Sequence, residues 1–241
     1  MNDNPHISRA FDRDLEAIEA MIMKMGGQVE EAIGLALDAM TEGDVELADR
    51  VRRGDAAIDA AEQRVNEEAA RVIALRQPIA TDLRTVLTVF RISAALERIA
   101  DYAKNMAKRT EILAEHHPVN GAIPSLRRMA KAVQAMLKDA LDSYLQHDAA
   151  LAEDVRNRDE EIDQLYNGLF RQLLTHMMED PRNITACMHL HFIAKNIERM
   201  GDLVTGIAEQ VIYRVTGEMP NDERVKADTT SVYAGPRGGA R

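Results

Sequence analysis

Phe11, Leu15, Ile18, Ile22, Met25, Val29, Ile33, Leu37 and Met40 follow one another at steps of three and four residues, with polar residues between them. That period predicts one amphipathic helix of about eight turns, spanning 8–42. Ser8 reads as its N-cap, and Gly43 can take the left-handed position that ends it. Asp44 reads as the next N-cap. Val51, Ile58, Val65 and Val72 then recur every seven residues, a helical seam over 44–76. Pro78 closes that helix. Thr81 or Asp82 is the expected cap of a third helix over 80–113, with Leu83, Leu87, Phe90 and Ala94 marking its apolar face. His116-His117-Pro118-Val119-Asn120-Gly121 is a linker by composition.

After the linker the pattern repeats. Val29, Ile33, Leu37, Met40 and Asp44 return, shifted by 104, as Val133, Leu137, Leu141, Tyr144 and Asp148. Leu96-Glu97-Arg98-Ile99-Ala100-Asp101 returns, shifted by 101, as Ile197-Glu198-Arg199-Met200-Gly201-Asp202. Small changes of shift at the turns are what a duplicated bundle shows. The expected fold is all-α: two tandem three-helix bundles related by internal duplication, six helices in total. The first bundle covers 8–113 and the second 123–217, the latter with helices over 123–147, 149–179 and 182–217. Residues 1–7 are polar and read as loose. The segment 218–241 is rich in polar residues, Gly and Pro without periodicity, and reads as a disordered tail.

The carboxylates add chemistry to this frame. Asp55 and Asp59 stand four apart, as do Glu97 and Asp101, and the two pairs are symmetric about Pro78. Asp159 and Asp163, with Glu198 and Asp202, are symmetric about the Asp180-Pro181 break. Residues equidistant from a tight turn face each other across an antiparallel helix hairpin, so each hairpin is expected to gather four carboxylates. With 40 acids in 241 residues, about six or seven i,i+4 acid pairs arise by chance, so a single pair reads as a solvated face. The mirrored occurrence in both halves favours a site. Glu97 and Asp101 also continue the stripe of Leu83, Leu87, Phe90 and Ala94, and Asp55 falls between Val51 and Ile58 on its seam. Clustered carboxylates repel and call for cations; oxygen-only donors suit hard ions such as Mg²⁺, Mn²⁺ or Fe. Asn105, one turn beyond Asp101, is a candidate further ligand or a surface amide. Its counterpart is Gly206, and His191 and Lys195 replace Phe90 and Ala94, so the second half is the more polar.

Composition narrows the function classes. The net charge is −10 and no basic face stands out, which excludes an ordinary nucleic-acid binder. Aromatics are 4 % with no Trp, against 46 % hydrophobic residues, which favours helix over sheet. The single Cys187 forms no internal disulfide and reads as a small core residue. The N-terminus lacks the apolar core of a signal peptide, and no apolar run reaches the roughly 18 residues of a membrane span. The expected location is the cytoplasm, with a membrane visited only through partners. His116, His117, His176 and His189 have no ligand spacing to the acids and read as ordinary imidazoles. Arg98 and Arg199, each following the first acid of its motif, read as anchors of the acid pair, as partners across a bundle, as anion binders, or, most commonly for such residues, as solvated. No catalytic residues are expected: there is no Gly-rich phosphate loop and no Ser/His/Asp arrangement.

On Leu83-Arg84-Thr85-Val86-Leu87, Glu97-Arg98-Ile99-Ala100-Asp101-Tyr102-Ala103-Lys104-Asn105 and Asn196-Ile197-Glu198-Arg199-Met200-Gly201-Asp202, the chain resembles the PhoU family over about 8–217. The resemblance implies two three-helix bundles whose paired motifs hold metal clusters, with Asp55, Asp59, Glu97, Asp101, Asp159, Asp163, Glu198 and Asp202 as ligands. The implied cofactors are divalent or iron ions: Mg, Mn, Fe or Zn. It also implies a cytoplasmic homodimeric regulator that restrains phosphate uptake and phosphate-starvation signalling. Its implied partners are the phosphate ABC transporter's ATPase and a PhoR-type sensor histidine kinase. The competing class is a carboxylate-bridged di-iron or di-manganese enzyme. Such sites commonly use Glu-x-x-His, which neither hairpin has. A third reading is a metal-free scaffold.

Overall fold

The stripe that starts at Phe11 becomes α1, Pro5–Glu42, in the computed structural model, which describes residues 5–220. Every residue of the stripe is buried except Leu15, which is half-buried. The helix starts before Ser8, so Ser8 lies inside it and is not its N-cap; Pro5 to Ile7, read as loose, are helical. Its end is as expected. Gly43 adopts φ +68°, and the Asp44 N–H donates to the Ala39 carbonyl at 2.9 Å. Asp44 then caps α2, Val45–Arg76, accepting from the Leu47 N–H at 2.9 Å. Val51, Ile58, Val65 and Val72 form its buried seam.

Three expectations fail in α3, Ala80–Ala107. Its N-cap position is Ile79, without a side-chain cap, and not Thr81 or Asp82. Its buried face is Val86, Val89, Ile92, Leu96, Ile99, Ala103 and Met106, whereas Leu87 and Ala94 are exposed. The helix is central: it packs against α1, α2 and α7, so its buried arc is broad and the predicted stripe is only the margin. The helix also stops short. An i→i+3 bond from Arg109 N–H to the Met106 carbonyl tightens its last turn, and a separate short helix α4, Thr110–Ala114, follows.

The second half comprises α5 (Ala122–Gln146), α6 (Ala149–Glu179), a 3₁₀ turn (Pro181–Asn183) and α7 (Ile184–Thr216). Asp148 caps α6 through Ala150 and Leu151, as Asp44 caps α2. The fold is therefore all-helical among the described residues, two three-helix bundles in tandem, with α4 as an addition. Residues 221–241 of the predicted tail lie outside the described residues. The bundles share one core through α3 against α7 and α1 against α5. Arg84, early in α3, lies 5.7 Å from the Tyr213 ring, late in α7. Arg109, just past α3, lies 4.5 Å from the Phe192 ring, early in α7. So α3 and α7 run antiparallel, and the two hairpin turns point to opposite ends of the molecule.

Candidate metal centre

In the first hairpin, the predicted mirror register holds. Lys104 on α3 donates to Asp55 on α2 and reaches Asp101 Oδ1 at 3.5 Å, so residues 55 and 101 face each other. Asp55 is buried on the α2 seam, Glu97 and Asp101 are half-buried, and Asp59 is exposed. Burial pushes the Glu97 carboxyl above its ordinary range, and the negative charges of Asp101, Glu62, Asp59 and Asp55 push it further. Asp55 and Asp101 thus share one ammonium group, and Glu97 feels the charge of the other three predicted acids. Glu62 is a fifth carboxylate that sequence reading missed, although its place one turn from Asp59 is the signal that could have found it.

The second hairpin is drier. Asp159, Asp163 and Glu198 are buried and Asp202 is half-buried, and each of the four has a partner. A Cβ at Gly201 would stand 3.2 Å from Asp159 Oδ1, so α6 and α7 approach closely beside Asp202. Lys195 lies 2.9 Å from Glu198 Oε1 and 5.0 Å from the Tyr166 ring. His191 joins this aromatic wall, 5.9 Å from Tyr166 and 5.2 Å from Phe170. Burial, then the Lys195 charge, lowers its pKa. It thus places a ring where its counterpart Phe90 stands in the first half.

Each acid cluster is therefore partly neutralised by a lysine of its own chain. Lys104 was missed as a charge partner; it follows Asp101 by one turn. Hydrogen bonding to Asp55 is the main cause that raises its pKa. Among the described residues, no three Asp, Glu, His or Cys side chains stand together in an arrangement ready to hold a metal ion. The donor set nonetheless suits one: the raised Glu97 carboxyl sits among four like charges, and all the donors are hard oxygens. In both hairpins an ammonium group sits where positive charge is needed. The predicted anchors take no such part. Arg98 is exposed and lies 5.9 Å from the Tyr102 ring, and Arg199 is exposed. Asn105 accepts from Lys108 Nζ at 3.2 Å. Cys187 is buried, as expected of a core residue, and burial raises its thiol pKa.

The PhoU-domain family profile matches this chain twice, over residues 22–110 and 126–211, one match per bundle. The chain belongs to the PhoU family. It is 45 % identical to the phosphate-specific transport system accessory protein PhoU homolog of Rhizobium meliloti, over 94 % of this chain and 95 % of that protein. It is 43 % identical to the homolog of the same name from Caulobacter vibrioides, over 94 % of this chain and 98 % of that one. The crystal structure of PhoU from Pseudomonas aeruginosa superimposes with a TM-score of 0.83 at 36 % identity, covering 86 % of this chain and all of that one. The phosphate transport system regulatory protein PhoU from Streptococcus pneumoniae does so at 0.82 and 30 %, covering 88 % of this chain and 99 % of that one. Both PhoU domains carry one acid cluster each. No helix among the described residues is long and apolar enough to cross a membrane.

Proposed function

We propose that this PhoU-family chain is a metal-binding, non-enzymatic adaptor that restrains phosphate uptake and phosphate-starvation signalling. In this reading it is a cytoplasmic homodimer, and it contacts the phosphate ABC transporter's ATPase and a PhoR-type sensor histidine kinase. The observation that carries the metal part is the duplication of the acid cluster: two hairpins at opposite ends each bring carboxylates from two helices together. Asp55, Asp59, Glu97 and Asp101 would hold ions in one half, and Asp159, Asp163, Glu198 and Asp202 in the other. Bound Mg, Mn, Fe or Zn would supply charge neutralisation and a cross-link between the paired helices. The non-enzymatic part is supported by the names of the relatives, accessory and regulatory proteins, and by hairpins without Glu-x-x-His. An adaptor signals by binding two states of a partner with different affinities, which needs shaped faces and no catalytic group.

The test is genetic. Deleting the gene should leave phosphate-starvation genes active in phosphate-rich medium. Restoring the chain with Glu97, Asp101, Glu198 and Asp202 changed to amides should restore repression only weakly. Normal repression in the deletion strain, with no second copy present, would sink the regulatory reading.

A further inference from the structure

The chain has ten more negative than positive charges, so a half-buried arginine should find a carboxylate easily. Arg156, Arg158 and Arg214 do: Arg156 has Glu153 and Glu209, Arg158 has Asp139 and Asp154, and Arg214 has Glu19. Arg109, at the break between α3 and α4, has no ion pair with a carboxylate of the described residues, and its Nε is buried without a hydrogen-bond partner. A buried polar atom of this kind calls for an explanation.

Its neighbours are also cationic or neutral donors. Arg109 Nη1 lies 3.0 Å from His189 Nδ1. Arginine can only donate, so His189 Nδ1 accepts and the neutral ring carries its proton on Nε2, as a further donor. His116 Nδ1 lies 2.7 Å from the Ile112 carbonyl, which only accepts, so His116 is protonated at Nδ1. Burial, then the Arg109 and His116 charges, lowers the pKa of His189, so its ring stays neutral beside the Arg109 guanidinium and offers Nε2–H as a donor. All three are half-buried and open to solvent on one side. Phe192 holds the guanidinium plane from beneath. His116 also lines a cavity of about 220 Å³ walled by Gly43, Leu113 and Leu190.

We propose that Arg109, His189 and His116 form a binding site for a phosphate oxyanion, free or as a phosphomonoester, where α3, α4 and α7 meet. A planar guanidinium offers paired N–H donors matched to two phosphate oxygens, His189 adds its Nε2–H from α7, and His116, whose Nδ1–H is held by the Ile112 carbonyl, donates from Nε2 in its protonated form. The site uses none of the acid-cluster residues, and it stands whether or not the metal reading does.

The experiment is calorimetric titration of the full chain, stripped with chelator so that no metal ion can bridge to phosphate, at constant ionic strength held with chloride. Inorganic phosphate and O-phosphoserine are the two titrants. Saturable binding is expected, weakened about tenfold or more by Arg109→Gln or His189→Asn and unchanged by Arg71→Gln, an exposed arginine of α2. Tighter binding of phosphate would identify the free ion as ligand, and tighter binding of O-phosphoserine a phosphorylated side chain; either supports the site. If Arg109→Gln shows no cooperative melting, His189→Asn decides. No saturable binding of either titrant, or equal affinity in the folded variants, would overturn the proposal.

Discussion

Arg214 Nη2 donates to Glu19 Oε1 at 2.6 Å, from the last turn of α7 to α1. The pair joins the two bundles. The guanidinium also lies 4.7 Å from the Tyr144 ring on α5, and its Nη1 donates to the Tyr144 carbonyl at 3.4 Å. Arg214 is 8 % exposed and Glu19 17 %, so removing one partner strands the other away from water. Arg214→Met is expected to lower unfolding stability by about 3–5 kcal/mol. Glu19→Met added to it should recover much of that loss, because no uncompensated charge remains. Urea unfolding of the two variants checks both numbers.

Lys104 holds together two carboxylates that a metal ion would also need. Its pKa is raised in the folded state, first by the hydrogen bond it donates to Asp55, so the stability it supplies is complete below the ordinary lysine range and is lost as pH rises through the folded value. Lys104→Gln at neutral pH leaves Asp55 short of a strong donor, and should cost about 1–3 kcal/mol in metal-free protein. The same change removes a competing ammonium group. Mn²⁺ titration should therefore show tighter binding in the variant, and weaker binding would place the ion away from Asp55 and Asp101.

Glu97 destabilises the fold at neutral pH where Lys104 stabilises it. Its carboxyl is pushed up by burial and by four neighbouring acids, so the folded chain holds its proton more tightly than the unfolded chain does. Stability of metal-free protein then falls as pH rises from the ordinary glutamate range through the folded pKa, and is level above it. Glu97→Gln removes that slope. In chelator the variant should be more stable than the natural chain at neutral pH, and the difference should vanish in acid. A pH series of urea midpoints measures it.

What the sequence made legible follows from how many neighbours each helix has. The α1 stripe is clean because its polar back faces water and its caps are local chemistry at Gly43 and Asp44. The hairpin registers were legible because a turn fixes which residues oppose each other: Asp55 meets Asp101, and Asp159 comes against Gly201. The face of α3 was not legible, since a helix packed against three others buries a broad arc, and Leu87 on its margin looks like core although it is 46 % exposed. Lys104 and Glu62 were missed for a different reason. Long charged side chains choose partners in space, and any acidic helix offers several.

Gly201 sets how closely α6 approaches α7. A methyl there would press on Asp159 Oδ1 at 3.2 Å, and the matching residue of the first bundle, Ala100, already carries one. Gly201→Ala gains about 1 kcal/mol of helix propensity. The crowding of Asp159 opposes that gain, so overall stability should change little. The second cluster should be displaced while the first is not. Comparing Mn²⁺ affinities of the two halves, with Asp55→Asn/Glu97→Gln/Asp101→Asn silencing the first, should show weakened binding confined to the second.

Metal linkage tests the clusters together. An ion that binds the assembled hairpins and not the open chain stabilises the fold by mass action, by about 2.7 kcal/mol at a hundredfold excess over Kd. Chelation is therefore expected to lower the melting temperature, and Mn²⁺ or Mg²⁺ to restore it. The two halves should respond separately, because the hairpins lie at opposite ends and share no acid. In Asp55→Asn/Glu97→Gln/Asp101→Asn the first cluster loses three of its five carboxylates, so only the response of the second should remain. A metal response unchanged in this variant and in its counterpart Asp159→Asn/Glu198→Gln/Asp202→Asn would show that the ions bind elsewhere, and the lysine-bridged acids would then be a structural device alone.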